Sequence, residues 1–334
     1  MAPSIRCATH AGSWYQSNSN VLSRELDGWL ADVLPSVTPI GKASSQEGAV
    51  EIPVSGARAI IAPHAGYSYS GPAAAWAYKS ADWANAKRVF LLGPSHHQYF
   101  TSARVTDCDE YQTPLGNLTI DKATTAQIRK EWDLSAMDRG MDEDEHSLEM
   151  HLPYIYKMLS IRNTGFQSDP TSVPLIPLLI GATTPSKEKE LGRALSPYLA
   201  DPTNLFVISS DFCHWGTRFR YTYYRAPSGS STQLRSNTKA SETRDYAIHE
   251  SIKSVDYDSM DAVETGNHDA FLQQLEETGN TVCGRHPIGV FMAAVQAAEL
   301  GGKGRFKFVR YERSSEVVAV AESSVSYCSA FAVL

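Results

Sequence analysis

The sequence predicts an α/β fold: a single domain in which helices flank a mixed, mostly parallel central sheet. Three observations carry this. Short apolar runs rich in β-branched residues alternate with stretches of helical periodicity along most of the 334 residues, the pattern of a sheet with helices on its faces. The early runs are apolar throughout, as in strands buried on both sides. The late runs alternate apolar with polar, as in antiparallel strands added to such a sheet.

Taken in order, ARAIIA (57–62) predicts a buried strand and GPAAAWAYKSA (71–81) a helix. RVFLL (88–92) predicts the next strand, and residues 153–159 a helix. VPLIPLLI (173–180) reads as a strand whose prolines favour an edge or bulged position. A helix over 187–199 and a strand NLFVIS (204–209) follow. Helices are predicted over 269–277 and 287–300; the second has Pro287 in its first turn and ends on Gly301-Gly302. Residues 306–311 and 324–333 read as half-buried strands. Segments 36–56 and 226–243 are rich in Ser, Pro, Gly and other small residues, which predicts mobile surface insertions. Apolar periodicity resumes unchanged after each, so residues 1–334 read as one domain.

Composition narrows the function classes. The net charge is −7 and no basic arm is present, so general attraction to nucleic acid is not expected. No stretch approaches the roughly 20 apolar residues that span a bilayer, and MAPSIRCATHAGSWY lacks the apolar core of a signal peptide. The five cysteines are scattered, with no C-x-x-C pair, which fits a reducing compartment: the cytoplasm, with the nucleus open to the chain.

The chemistry is concentrated at strand ends. Three predicted strands run directly into histidine-bearing loops: Pro63-His64, Pro94-Ser95-His96-His97 and Asp211-Phe212-Cys213-His214. In open α/β sheets ligands bind outside the carboxyl ends of the strands, and imidazole is both a common metal ligand and a proton carrier near neutrality. His97 alternates away from His96 and reads as a supporting residue. Cys283 precedes the helix at Pro287, where a thiol pKa can be depressed. Arg285 and His286 share its turn and suit an anion. Asp211 is a ligand, a partner for His214, or a turn residue. The acidic run MDEDEHSLEMH (141–151) reads first as a solvated helix start, with Glu145 or His146 within reach of the pocket. Trp14, Tyr67, Tyr69 and Phe212 are predicted to line it.

HAGSWY (10–15), IIAPHAGYSYSG (60–71), LLGPSHH (91–97), YQTPLGNL (111–118), DEDEHSLEMHLPY (142–154), NLFVISSDFCHWG (204–216), CGRHPIG (283–289) and SSVSY (323–327) together resemble the Memo family, in order and over nearly the whole chain. Memo proteins are similar in fold to class III extradiol dioxygenases, non-haem iron enzymes that hold Fe(II) with two histidines and a glutamate. The resemblance implies His64 and His96 as metal ligands, His214 as the catalytic base, and Cys283 where the glutamate would be. A thiolate there is softer than a carboxylate and favours copper or a redox centre over ring cleavage. The family is associated with signalling and cell motility, with recognition of phosphotyrosine peptides, and with iron or copper redox chemistry.

Three functions follow as expectations. In the first, a metal-dependent oxidoreductase holds iron or copper with His64, His96 and Cys283; His214, Asp211 and His146 serve proton transfer to dioxygen or a phenolic substrate. The second is a pocket for a phosphotyrosine or aromatic peptide of a signalling protein, met by Arg285, His286 and the aromatic rim. The third is metal-free catalysis by a Cys283 nucleophile with His214 or His286 as base.

Overall fold

A computed structural model describes residues 3–162, 169–238 and 243–334. Nine strands form the central sheet: β1 (Ala57–Ala62), β2 (Arg88–Pro94), β3 (Ala103–Val105), β4 (Ser135–Ala136), β5 (Leu175–Ile180), β6 (Asn204–Ser209), β7 (His214–Trp215), β8 (Phe306–Arg313) and β9 (Ser324–Val333). Their order is β7-β9-β1-β6-β2-β5-β3-β4, with β8 also paired to β9. The four strands β1, β6, β2 and β5 run parallel. Antiparallel strands extend this core on both sides, β9 against β1 and β3 against β5.

The helices are α1 (Ser19–Ala31), α2 (Tyr67–Ser80), α3 (Lys122–Glu131), α4 (Arg139–Asp144), α5 (His146–Glu149), α6 (Leu152–Ile161), α7 (Pro185–Leu199), α8 (Ile248–Glu264), α9 (His268–Thr278) and α10 (Arg285–Ala297). Alternate strand residues serve two separate cores. Ile60, Leu91 and Val207 pack with Leu22, Leu26 and Leu30 of α1 and Ile155 of α6. Ile61, Leu92 and Phe206 pack with Leu191 and Leu195 of α7 and Phe291 of α10. Burial on both faces explains why these strands are apolar without alternation. Each such side chain contributes about 1.5–3 kcal/mol on leaving water.

Several expectations change. The 173–180 segment is not an edge strand: β5 lies between β2 and β3. Its Pro177 is tolerated because the ladder to β3 begins only at Leu178. The second helix starts at Tyr67, not Gly71, with Pro72 inside it. Strand β9 is buried along nearly its whole length rather than on one face, because Phe331 joins one core and Ala330 and Ala332 the other. Helices α1, α3 and α8 lie outside the segments singled out by periodicity. In the 36–56 insertion, Ser36–Val37 pairs with Val50–Glu51, and buried Ser44 donates to Glu264. In the other, Ser231–Gln233 pairs with Tyr223–Arg225; residues 239–242 lie outside the described residues.

Candidate metal centre

Because β1, β6 and β2 are parallel and adjacent, their carboxyl ends lie side by side. The loops leaving them carry His64, Asp211 with His214, and His96 to one cavity of about 790 Å³. His146, at the first position of α5, joins them. Among the described residues, His64, His96 and His146 offer ring nitrogens that all lie within 4.8 Å of one another. The His96 and His146 rings stack at 4.2 Å, and His64 stands edge-on to both.

The hydrogen bonds fix which nitrogens are free. Ser209 donates its single hydroxyl proton to Ser147 O at 2.8 Å. It can therefore only accept from His64 Nδ1, 2.6 Å away, which leaves His64 Nε2 as the accepting nitrogen of the neutral ring, facing the Cys283 sulfur. His96 Nδ1 donates to Glu145 Oε1 at 2.8 Å, and the His96 backbone N–H donates to Glu145 Oε2 at 2.7 Å. This carboxylate–histidine arrangement orients a metal-ligating ring and raises its basicity. Burial alone would raise the Glu145 pKa, but the His96 bonds and neighbouring imidazole charges outweigh it and hold it at about 2.

Desolvation, reinforced by His96, lowers His146 to about 3. Burial, reinforced by His96 and His146, lowers His64 well below its usual range. Both rings are neutral at physiological pH, the form a metal requires.

His214 donates from Nδ1 to the carbonyls of Phe212 (2.9 Å) and Thr281 (3.2 Å), so its Nε2 is an unprotonated base. Asp211 does not orient His214. Its Oδ1 accepts from the His64 backbone N–H at 2.9 Å, which ties the β1 and β6 loops together. Burial raises its pKa to about 7.

Trp14 and Tyr69 line the cavity as expected, with Trp14 4.5 Å from the His146 ring. Tyr67 does not: it is buried and its hydroxyl donates to Met150 O, because it belongs to the packed first turn of α2. Phe212 packs in the core against Phe308, and only its carbonyl serves the site. Arg285 and His286 lie on a separate cavity beyond Cys283, and His286 is held by Glu188 at 2.6 Å. His97 touches only the edge of His146, at 5.9 Å.

Cys283 is placed differently from the expected reactive thiolate. Desolvation and the Asp211 charge push its thiol pKa well up. Its Sγ sits 3.2 Å from His64 Nε2 and 3.4 Å from Asp211 O. Two ligands of one tetrahedral ion, at about 2.1 Å for nitrogen and about 2.3 Å for sulfur, stand about 3.6 Å apart. Cys283 and His64 are close to that spacing, yet the sulfur does not join the three-histidine group.

The sequence reading missed Ser209, Arg218, Phe219 and the anchoring role of Glu149. Glu149 accepts from His10 N–H, Tyr15 OH and Arg6 Nη1, and so fixes the loop that carries Trp14. The HAGSWY string marked that loop, but its partner lies more than 130 residues away.

A family model described as "Memo-like protein" matches residues 6–331. The chain belongs to the Memo family. Protein MEMO1 of Xenopus laevis is 42% identical over 97% of this chain and 96% of its own length. Protein MEMO1 of Homo sapiens is 40% identical over the same shares. A crystal structure of an uncharacterized Escherichia coli K12 protein aligns with a TM-score of 0.38 and 15% identity, covering 80% of this chain and 98% of that one. The motifs that carry the Memo resemblance include the loops that bear His64, His96, His146, His214 and Cys283. No helix among the described residues is long and apolar enough to cross a membrane.

Proposed function

We propose that this Memo family chain holds one iron or copper ion with His64 and His96, flanked by His146 and Cys283, and acts as a metal-dependent redox protein on a small phenolic or aromatic ligand. The observation that carries the reading is the set of three ring nitrogens within 4.8 Å of one another, with the Nδ1 atoms of His64 and His96 held by Ser209 and Glu145 so that Nε2 is the nitrogen each ring has left for an ion. The donor set of imidazoles beside a thiol suits iron or copper over a hard cation such as magnesium. When bound, the ion would supply one-electron chemistry with dioxygen or a bound phenol.

The chain's own residues do the rest. Trp14 and Tyr69 form an aromatic wall for a ring. His214 Nε2 takes the proton from a phenolic hydroxyl, and its Nδ1 stays bonded to Phe212 O and Thr281 O. Asp211 keeps the His64 loop in register with the end of β6. The raised thiol pKa of Cys283 argues against a metal-free thiolate nucleophile.

Oxygen uptake by metal-loaded protein with catechol or ascorbate tests the redox reading. Turnover that falls at least about 100-fold in His214→Gln supports it; no uptake above free metal contradicts it. A second reading is favoured by Arg218, which lines the same cavity beside Phe219. A guanidinium at an aromatic-walled pocket suits the phosphate of a phosphotyrosine peptide from a signalling protein. Binding of such a peptide by metal-free protein, weakened in Arg218→Gln, would support it.

A further inference from the structure

A second cavity, of about 360 Å³, opens at the same edge of the sheet. It lies where β2 and β5 end, at Ser95 and at Gly181-Ala182, against the start of α10. Its lining contains Cys283, Arg285 and His286 and no acidic residue. In a chain of net charge −7, a cavity walled by cationic and neutral groups is a local reversal of sign.

Arg285 is the decisive residue. Its Nε is buried with no hydrogen-bond partner, and no described residue forms an ion pair with the guanidinium. Arg285 itself is half-buried, but its inaccessible Nε has lost water without gaining a partner, and an anion presenting two oxygens to the guanidinium fork would satisfy it. The surroundings favour the same ligand. Helix α10 is 13 residues long, has no side-chain cap and carries no acid of its own in its first turn, so the one carboxylate set against that turn is Glu188, through His286. His286 donates from Nδ1 to Glu188 at 2.6 Å, which turns Nε2 away from the carboxylate. Glu188 is itself claimed from the far side by His268, also at 2.6 Å, so its charge is shared between two imidazoles.

We propose that this cavity binds a small oxyanion, a phosphate or carboxylate, with Arg285 as its cationic partner. The site is distinct from the histidine cavity, since Arg285 lines only the second and His64 only the first. The two share a wall at Cys283, whose sulfur touches His64. A ligand bound by Arg285 therefore lies against the thiol side of the candidate metal centre.

The test is equilibrium binding of radiolabelled inorganic phosphate to the metal-free full chain at about 0.15 M salt, with malonate as a second probe that separates a carboxylate from a phosphate ligand. Saturable binding of either probe that weakens at least tenfold in Arg285→Gln, is partly retained in Arg285→Lys and is unchanged in Arg218→Gln supports the site. The Arg285 Nε has no partner to lose, and its backbone bond to Val282 O is independent of the side chain, so Arg285→Gln should fold as the parent does, which its circular dichroism and melting curve check. Absence of saturable binding of both probes, binding unchanged in Arg285→Gln, or binding lost instead in Arg218→Gln would overturn the proposal.

Discussion

Glu145→Gln tests how the candidate centre is built. Glu145 accepts three hydrogen bonds: Oε2 from the His96 backbone N–H, and Oε1 from both His96 Nδ1 and the Ser147 backbone N–H. A glutamine has one accepting oxygen and one donating NH₂, so all three cannot survive. If the amide oxygen stays on Ser147 and His96 Nδ1, the NH₂ faces the His96 backbone N–H, donor against donor. If the amide flips, the NH₂ donates to Nδ1, and the His96 proton moves to Nε2, the nitrogen a metal needs. Either outcome disturbs His96 with no change in side-chain size. Loss of such an orienting partner typically weakens metal binding 10–100-fold, about 1.4–2.8 kcal/mol. The lost buried bond should lower folding stability by about 1–2 kcal/mol. Anaerobic calorimetric titration with Fe(II) or Cu(I), alongside urea unfolding, reads both. Parent-like metal affinity in a folded Glu145→Gln protein would refute this account of His96.

Other predictions follow from the same contacts. Burial lowers His151 to about 3, so as pH falls below about 6.5 the unfolded chain takes up a proton that the native ring refuses. Its contribution is therefore complete above pH 6.5 and declines towards pH 3, by up to about 1.4 kcal/mol per pH unit; urea unfolding at pH 7.5, 6.0 and 5.0 should show a shallower decline in His151→Gln. Gly284→Ala should destabilise by about 2 kcal/mol, because its Cβ would stand 2.3 Å from Ser210 Cβ and 2.4 Å from Ser209 O; an unchanged denaturation midpoint would contradict this close approach. Tyr67→Phe should lower stability by about 1–2 kcal/mol by stranding Met150 O, yet leave binding of an aromatic ligand untouched in a fluorescence titration, since Tyr67 does not line the cavity.

What the sequence made legible was local and positional. ARAIIA, RVFLL and NLFVIS are apolar without alternation, so their burial could be read directly, and the loop after each run then placed His64, His96 and Asp211 at the sheet's carboxyl edge. Periodicity could equally have marked α1, where Asn18 caps a helix with Leu22, Leu26 and Leu30 on one face. Long-range partnership was not legible. The acidic run around Glu145 resembles a solvated helix start, and nothing local says that its carboxylate turns inward to bond His96, 49 residues away. Tyr67 and Phe212 stand beside site residues in the chain and still point into packed cores, because local neighbourhood does not set side-chain direction. Cys283 lies just before α10, as its place in the sequence suggests, but burial and the Asp211 charge raise the thiol pKa against the helix-end expectation.

The most direct test of the central claim is an anaerobic titration of the metal-free chain with Fe(II) and with Cu(I), run beside His64→Ala, His96→Ala, His146→Ala and Cys283→Ser. The account predicts one equivalent bound with a sub-micromolar Kd, about −8 kcal/mol or tighter, and its loss in both His64→Ala and His96→Ala; the other two variants rank His146 and Cys283 as the further donor. No stoichiometric binding of either metal, or parent-like binding in His64→Ala and His96→Ala, would contradict it.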